Sequence, residues 1–200
     1  MASNSFIEWY RRLWGDGPGD AIDEVTAAEH RLGVSMPPLL REVYLHTSLR
    51  SSQMLHLERL ANVTVRDSLL VFAREQQACY HWGLRVAGSI CVADRVLVEL
   101  QAGWQDEGCS LDEFLRFFAL CNRPYEPPSC EVDFDPDRLR PPWRLHRVEW
   151  LNIQHELWSN GEAVLEEGSS RLGARDQDAL GRAAASLGVD PDDLDEDAVL

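Results

Sequence analysis

The stretch LLVFAREQQACYHWGLRV, residues 69–86, consists of two apolar runs separated by a polar segment. In the second run, large apolar residues alternate with smaller or more polar ones, which is the period of a half-buried β-strand. The pattern predicts strands at residues 69–74 and 79–86. Polar residues are expected where the chain turns between two strands, so we predict that the whole stretch forms a hairpin.

The same stretch contains a catalytic alternative, because Cys79 and His81 place a thiol and an imidazole two residues apart. Nucleophilic enzymes often use such a pair. In an extended strand the two side chains stand side by side on one face, so the base does not point at the nucleophile. The sequence nearby offers no third residue to orient the base. We therefore interpret His81 as a solvent-facing strand residue and expect neither a catalytic residue nor enzyme activity.

Helical patterns precede this hairpin. Residues 5–14 fit a short amphipathic helix behind a capping box, and a second helix is predicted between Asp20 and Gly33. The segment MPPLLREVYLHT predicts a third helix, with proline in its first turn. Residues 48–66 are expected to be irregular, with three leucines that reach into the core: Leu55, Leu57 and Leu60.

Strands and one helix are predicted to follow the hairpin. ICVA (90–93) and VLVELQ (96–101) read as strands that flank a tight turn at Asp94-Arg95. Residues 110–121 begin with a Ser-x-x-Glu capping box and predict a helix. The fold class is therefore α+β, with N-terminal helices, an antiparallel sheet of about four to six strands backed by helices, and a C-terminal hairpin and helix.

The C-terminal part changes in composition. Residues 122–142 contain six of the ten prolines and are predicted to be an acidic linker or arm. Beyond it, strands are expected at 148–158 and 162–166, joined at Ser159-Asn160-Gly161, and an Ala-rich helix at 176–187. The predicted segments are an N-terminal helix (1–19), a core domain (20–121), the arm (122–142), a C-terminal hairpin and helix packed on the core (143–189), and an acidic disordered tail (190–200).

The net charge of −15 restricts the kinds of partner. Phosphates would be repelled, so we expect a cationic protein partner and no direct binding of nucleic acid. No stretch approaches the ~20 apolar residues of a membrane helix, and the N-terminus lacks the pattern of a secretory signal, which favours a cytoplasmic location without membrane binding. All basic residues are Arg, which indicates GC-rich codon usage and a bacterial source.

The cysteines and histidines do not follow the spacing of a metal site. Five Cys form no C-x-x-C pair, and six scattered His form no pair at the usual ligand spacing. We interpret the thiols as reduced and mostly buried. No metal and no other cofactor are expected.

Three blocks of the sequence resemble a known family. AAEHRLGVSMPPLLREVY (27–44) is similar to the opening signature of the SUKH superfamily, which contains cell-wall-assembly regulators and bacterial immunity proteins. The hairpin stretch is similar to its second block, and SLDEFL (110–115) fits its closing helix. Ala78 departs from the family, in which Gly is common at that place. The matching residues are Ala28, Glu29, Leu32, Gly33, Pro37, Pro38, Leu70, Phe72, Glu75, Gln77 and Trp82.

The resemblance covers about half of the chain, ends before Pro124, and implies binding rather than catalysis. It implies a cytoplasmic immunity protein that neutralises a bacterial toxin domain by stoichiometric binding. The alternative, which the eukaryotic relatives suggest, is a regulatory or scaffold module for an endogenous protein. Fold alone does not decide between them.

Two features are candidates for the binding surface. The segment EVDFDPD (131–137) alternates carboxylates, which would form an acidic strip against a basic partner, or else a water-facing arm. Trp104 follows a predicted strand and is expected on an exposed loop as an apolar anchor. The candidate partner-binding residues are Glu75, Gln76, Gln77, Trp104, Asp106, Glu107, Glu131, Asp133, Asp135 and Asp137.

Overall fold

A computed structural model of the chain describes residues 6–15, 17–49, 55–125, 128–132, 135–136, 139, 141–150, 153–166 and 170–189. Within these residues no helix is long and apolar enough to cross a membrane. A short 3₁₀ helix, Arg123–Tyr125, follows the fourth α-helix directly. The α-helices are α1 (Phe6–Trp14), α2 (Ile22–Leu32), α3 (Pro38–His46), α4 (Leu111–Asn122) and α5 (Gln177–Ser186).

The strands form two antiparallel sheets. The first has the order β1-β3-β4-β5-β6, and β2 pairs with β3 on the edge that β1 also uses. Its strands are β1 (Leu55–Leu57), β2 (Thr64–Arg66), β3 (Leu69–Glu75), β4 (His81–Ala87), β5 (Ile90–Leu100) and β6 (Gly103–Asp106).

The second sheet has the order β7-β11-β10-β9-β8. Its strands are β7 (Ser129–Glu131), β8 (Arg144–Trp150), β9 (Ile153–Ser159), β10 (Ala163–Glu166) and β11 (Arg171–Ala174).

The chain divides into two compact units, a first unit of residues 16–118 and a second unit of residues 1–15 with 119–200. The predicted α+β class is confirmed, with a six-stranded sheet in the first unit and a C-terminal helix in the second. The five predicted segments, including the packing of 143–189 on the core, stay a prediction.

The core of the first unit lies between the inner face of its sheet and α4. Trp82 and Leu84 are fully buried on β4, and their cross-strand partners on β5 are Val98 and Val96. The Phe114 ring of α4 lies 5.4 Å from the Phe72 ring and 5.7 Å from the Trp82 ring, measured between ring centroids. Alternation in the sequence thus places every second residue of this part of β4 against the helix.

Two of the residues that carry the sequence resemblance have structural roles in the helical part. α2 ends at Gly33, which adopts a φ of +67°. One oxygen of the Glu29 carboxylate accepts a hydrogen bond from the Met36 amide at 2.9 Å, and the other pairs with Arg41 of α3. Glu29 therefore fixes the connection from α2 to the proline-led α3. The predicted capping box of α4 is confirmed, because Ser110 and Glu113 bond each other reciprocally.

Two sequence expectations for the first sheet are wrong. β5 is one strand of eleven residues rather than two strands around a turn at Asp94-Arg95, and a register shift opposite β4 absorbs the irregularity. The chain reverses between β4 and β5 at Gly88, which has a φ of +64° and lies between the predicted strands 79–86 and 90–93. The region 48–66, expected to be irregular, contains the two three-residue strands β1 and β2. The predicted burial of three leucines is confirmed: Leu55, Leu57 and Leu60.

Within the proline-rich arm the structure contains a short strand that the sequence did not predict. β7 lies within it and pairs with β11, and Cys130 and Val132 are buried in the core of the second unit. Prolines flank this short strand instead of interrupting it, so the ladder survives. The predicted strand at 148–158 is divided between β8 and β9. The turn after Ser159 and the helix before Gly188 are confirmed, and the acidic tail lies outside the described residues.

Candidate protein-binding site

The tip of the β3–β4 hairpin is an exposed loop with a fixed conformation. Its four residues Gln76, Gln77, Ala78 and Cys79 are all exposed. The Glu75 carboxylate accepts hydrogen bonds from the amides of Gln77 at 2.8 Å and of Cys79 at 3.4 Å. The Ala78 amide donates to the Glu75 carbonyl at 2.8 Å. These bonds order the backbone of the loop and leave the side chains at the tip available to contact another molecule.

Ala78 adopts a φ of +57°, in the left-handed region that favours glycine. An alanine there costs about 1–2 kcal/mol relative to its ordinary conformations. Glycine adopts this backbone conformation without the steric cost of a Cβ atom. Strain of this kind often accompanies a functional loop.

The side chains of Cys79 and His81 contact different groups in the hairpin. Cys79 precedes β4, and its Sγ atom faces the Gln77 carbonyl at 4.0 Å. The Nδ1 atom of His81 lies 3.1 Å from the Glu99 carboxylate. The imidazole is thus directed to a carboxylate on β5, as a strand residue that faces a cross-strand partner would be.

Burial raises the pKa of the other four thiols. The pKa values of Cys91 and Cys109 rise to about 12, chiefly through desolvation, and the carboxylates of Glu107 and Glu113 add to the rise at Cys109. Desolvation also raises the pKa of two further thiols, those of Cys121 and Cys130. A thiol is a poor nucleophile when its thiolate is disfavoured, so these four lack the environment of catalytic cysteines.

Five residues lie side by side across the outer face of the first sheet, at the end where the hairpin tip lies, and we call them the register row. It joins five strands, since each residue is the direct partner of the next. Strands are spaced by about 4.8 Å, so Trp104 on β6 lies about 10 Å from His81 on β4. The row and the tip therefore fit within one interface patch of ordinary size. Its members are His56, Arg74, His81, Glu99 and Trp104.

Trp104 is half-buried in a strand rather than exposed on a loop, which corrects the sequence expectation. Its ring rests over Gly83 of β4, where a Cβ atom would come within 3.3 Å of the indole. The guanidinium of Arg66 lies over the ring at 5.4 Å from the centroid and also pairs with Glu99. We call Arg66, His81, Glu99 and Trp104 the Trp104 cluster.

Asp106 and Glu107 continue the chain beyond this cluster and have different tasks. Asp106 forms an ion pair with Arg95 at 3.2 Å. The pKa of the Asp106 carboxyl is lowered mainly by the hydrogen bond from the Gly108 amide and, to a smaller extent, by Arg95. Glu107 accepts a hydrogen bond from the indole of Trp82 at 2.8 Å. Asp106 is exposed, whereas Glu107 holds the core tryptophan in place.

The acidic strip belongs to the second unit. Glu131 and Asp135 are exposed, and Glu131 lies beside Arg171 in the register of β7 and β11. Asp133 and Asp137 lie outside the described residues. The strip thus does not share a compact unit with the hairpin tip, and its binding role stays a prediction.

Sequence reasoning missed Arg66 and Glu99 as members of the site. Arg66 stands in a strand of only three residues, which is too short for an alternation signal. For Glu99 the sequence contained a signal, because it is the single carboxylate in the apolar run VLVEL. Antiparallel pairing of this run with the strand of His81 places the two residues opposite each other. The contact between Arg66 and Trp104 is tertiary, so no local pattern contains it.

The first unit also contains a surface groove, separate from the hairpin tip. In the part of the chain that the structure describes, no group of three or more His, Cys, Asp or Glu side chains is arranged to hold a metal ion. A groove of about 650 Å³ lies between α2 and the segment after β1. Its charged lining residues are Asp20, Glu24, Arg31 and Arg59. Arg31 donates to the carbonyls of Leu60 and Val63, which ties it to the wall of the groove.

Comparisons with protein-family models, with curated proteins and with solved structures gave no significant match.

Proposed function

We propose that this protein is an immunity protein that neutralises a cationic bacterial toxin domain by stoichiometric binding, without catalysis. The observation that carries the proposal is the hairpin tip, which has four consecutive exposed residues whose backbone is ordered by hydrogen bonds to Glu75. One of the four, Ala78, has a strained backbone conformation. A loop ordered before binding loses little conformational entropy when it docks, so its contacts contribute more fully to affinity.

Charge supports the same proposal. A net charge of −15 attracts a basic partner and accelerates encounter. The resemblance to the SUKH superfamily suggests that this partner is a bacterial toxin domain. The alternative function remains that of a regulatory or scaffold module, which would bind its endogenous protein partner through the same hairpin tip.

The experiment begins with a pull-down from the bacterial source and identification of the captured protein by mass spectrometry. The partner is then expressed alone and together with this chain. An immunity protein requires that the partner alone stops growth, that co-expression restores growth, and that the purified pair forms a complex of fixed stoichiometry. A harmless partner favours the regulatory alternative, and growth arrest that persists in the presence of excess chain contradicts neutralisation.

The tip is tested in the same assay with the double substitution Gln76→Ala and Gln77→Ala. Both side chains are exposed, so the folded chain is unaffected and a loss of neutralisation reports contact. Gln177→Ala, at an exposed glutamine that begins α5 in the second unit, is the matched control. Equal neutralisation by the tip variant and the control would remove the tip from the interface.

A further inference from the structure

We propose that Trp104 and Glu99 of the Trp104 cluster form a receptor site for an arginine side chain of the protein partner, and that Arg66 occupies this site in the free protein. The inference deepens the proposed function and rests on it for the class of ligand. Arg66 supplies the template, because its guanidinium already lies over the Trp104 ring at 5.4 Å and pairs with Glu99.

The two contacts of Arg66 define the chemistry of the ligand. An indole face attracts a cation, and a carboxylate beside it accepts N–H bonds from that cation. A guanidinium satisfies both at once, since it is planar, weakly hydrated and carries donors in a rigid fork. A lysine ammonium is compact and strongly hydrated, so it fits the same pair less well. The site therefore favours arginine over lysine.

Arg66 is placed where it can leave without loss of the core. All three residues of β2 are exposed, and the Arg66 side chain is 41% exposed. The strand is joined to β3 by Asp67 and Ser68, with φ of +52° and +58°, which fix the turn. Departure of the side chain breaks an exposed ion pair and one cation–π contact, and both are weak at a surface.

The rest of the site stays in place when Arg66 leaves. The Trp104 ring is supported by Gly83, and Glu99 keeps its contact with His81 at 3.1 Å. The indole Nε1 of Trp104 is buried, so the ring offers its face, where the Arg66 guanidinium lies, rather than its N–H to a ligand.

The experiment is an NMR titration of the full chain with an acetylated hexa-arginine amide. Each tryptophan gives one indole N–H signal, and the spectrum of Trp104→Phe assigns the signal of Trp104. The peptide should shift this signal, and Arg66→Gln should tighten binding about threefold or more because the internal competitor is gone. Glu99→Gln in the Arg66→Gln background should reverse the gain.

Two controls separate the site from general attraction to an acidic protein. Arg12→Gln removes one positive charge from an exposed position on α1 and should leave affinity unchanged. Hexa-lysine carries the same charge and should bind the Arg66→Gln variant about threefold more weakly than hexa-arginine. The proposal is overturned if the Trp104 signal does not move, if Arg66→Gln binds no better than Arg12→Gln, or if the two peptides bind equally.

The titration uses peptides and no toxin, so its outcome is independent of neutralisation. Failure of hexa-arginine at Trp104 removes the arginine site even where a toxin is neutralised. Binding at Trp104 by a protein that neutralises no toxin keeps the site and removes the immunity function.

Discussion

Two hairpin turns of this protein each contain a side chain that accepts two backbone amides and a residue with positive φ, but the residues differ. At the β3–β4 tip, the Glu75 carboxylate accepts the amides of Gln77 and Cys79, and Ala78 adopts a φ of +57°. At the β9–β10 turn, the Asn160 carboxamide accepts the amides of Glu162 and Ala163 at 3.0 and 2.9 Å. There a glycine, Gly161, takes the positive φ of +93°.

The difference lies in which residue takes the left-handed conformation. Gly161 accepts it without steric cost, so the second turn carries no strain from a left-handed side-chain-bearing residue. Ala78 is strained in the same region of backbone conformation and lies among exposed neighbours. The second turn, which we call the structural turn, thus avoids backbone strain, whereas the first retains it.

The largest expected effect is at the structural turn. Asn160→Ala removes the acceptor of two amides beside the buried Ala163, and should lower the free energy of unfolding by about 2 kcal/mol. Urea denaturation measures the loss. Asn160→Asp keeps an acceptor at this position and serves as the control, with most of the stability retained. Equal losses in both variants would contradict the role of the acceptor.

Gly161→Ala should cost less, about 1.5 kcal/mol, because only backbone conformation opposes it. No atom lies within 4 Å of the added Cβ among the described residues, so steric contact does not contribute. The same denaturation measures it, and Gly161→Asn, which tolerates positive φ better, should recover part of the loss. An unchanged midpoint would show that the turn relaxes around alanine.

Ala78→Gly should act in the opposite direction, with a gain of about 0.5 kcal/mol in the free energy of unfolding. Relief of the left-handed alanine exceeds the greater entropy of glycine in the unfolded chain by roughly this amount. Cys79→Ser, which leaves the conformation of residue 78 unchanged, is the control. A loss of stability would show that Ala78 makes favourable contacts that outweigh its strain.

The smallest effect concerns pH near the structural turn. Burial first, and then Arg144, lowers the pKa of His146 below its ordinary 6.5, and its Nε2 lies 2.8 Å from the Ser159 hydroxyl. As pH falls below about 6.5 the unfolded state gains the proton before the folded state, so stability declines down to the lowered pKa and is constant below it. His146→Gln should flatten this part of the urea midpoint plotted against pH. An identical slope in the variant would assign the dependence to another group.

Local patterns were sufficient for the elements that carry their own end signals. Gly33 ends α2, the Ser110 and Glu113 pair begins α4, and Asn160 with Gly161 turns the second hairpin. In each case the residues that signal the boundary lie within a few positions of it. The β3–β4 hairpin was predictable for the same reason.

Long-range contacts explain what the sequence did not predict. β1 and β2 are too short to show a period, and pairing with β3 alone makes them strands. Trp104 is half-buried because Gly83, far earlier in the chain, leaves space for its ring. Of the candidate site, the polar tip was predictable, whereas the register row and the contact of Arg66 with Trp104 depend on strand order.

The uneven exposure of the cysteines has a practical consequence for experiments on this protein. Cys79 is the one exposed thiol of the five, and burial disfavours the reactive thiolate of the other four by raising their pKa values. Maleimide chemistry at neutral pH should therefore attach a single fluorophore to the native sequence, on the hairpin tip. The chain thus carries its own labelling position, where a partner that docks on the tip would change the emission of the dye.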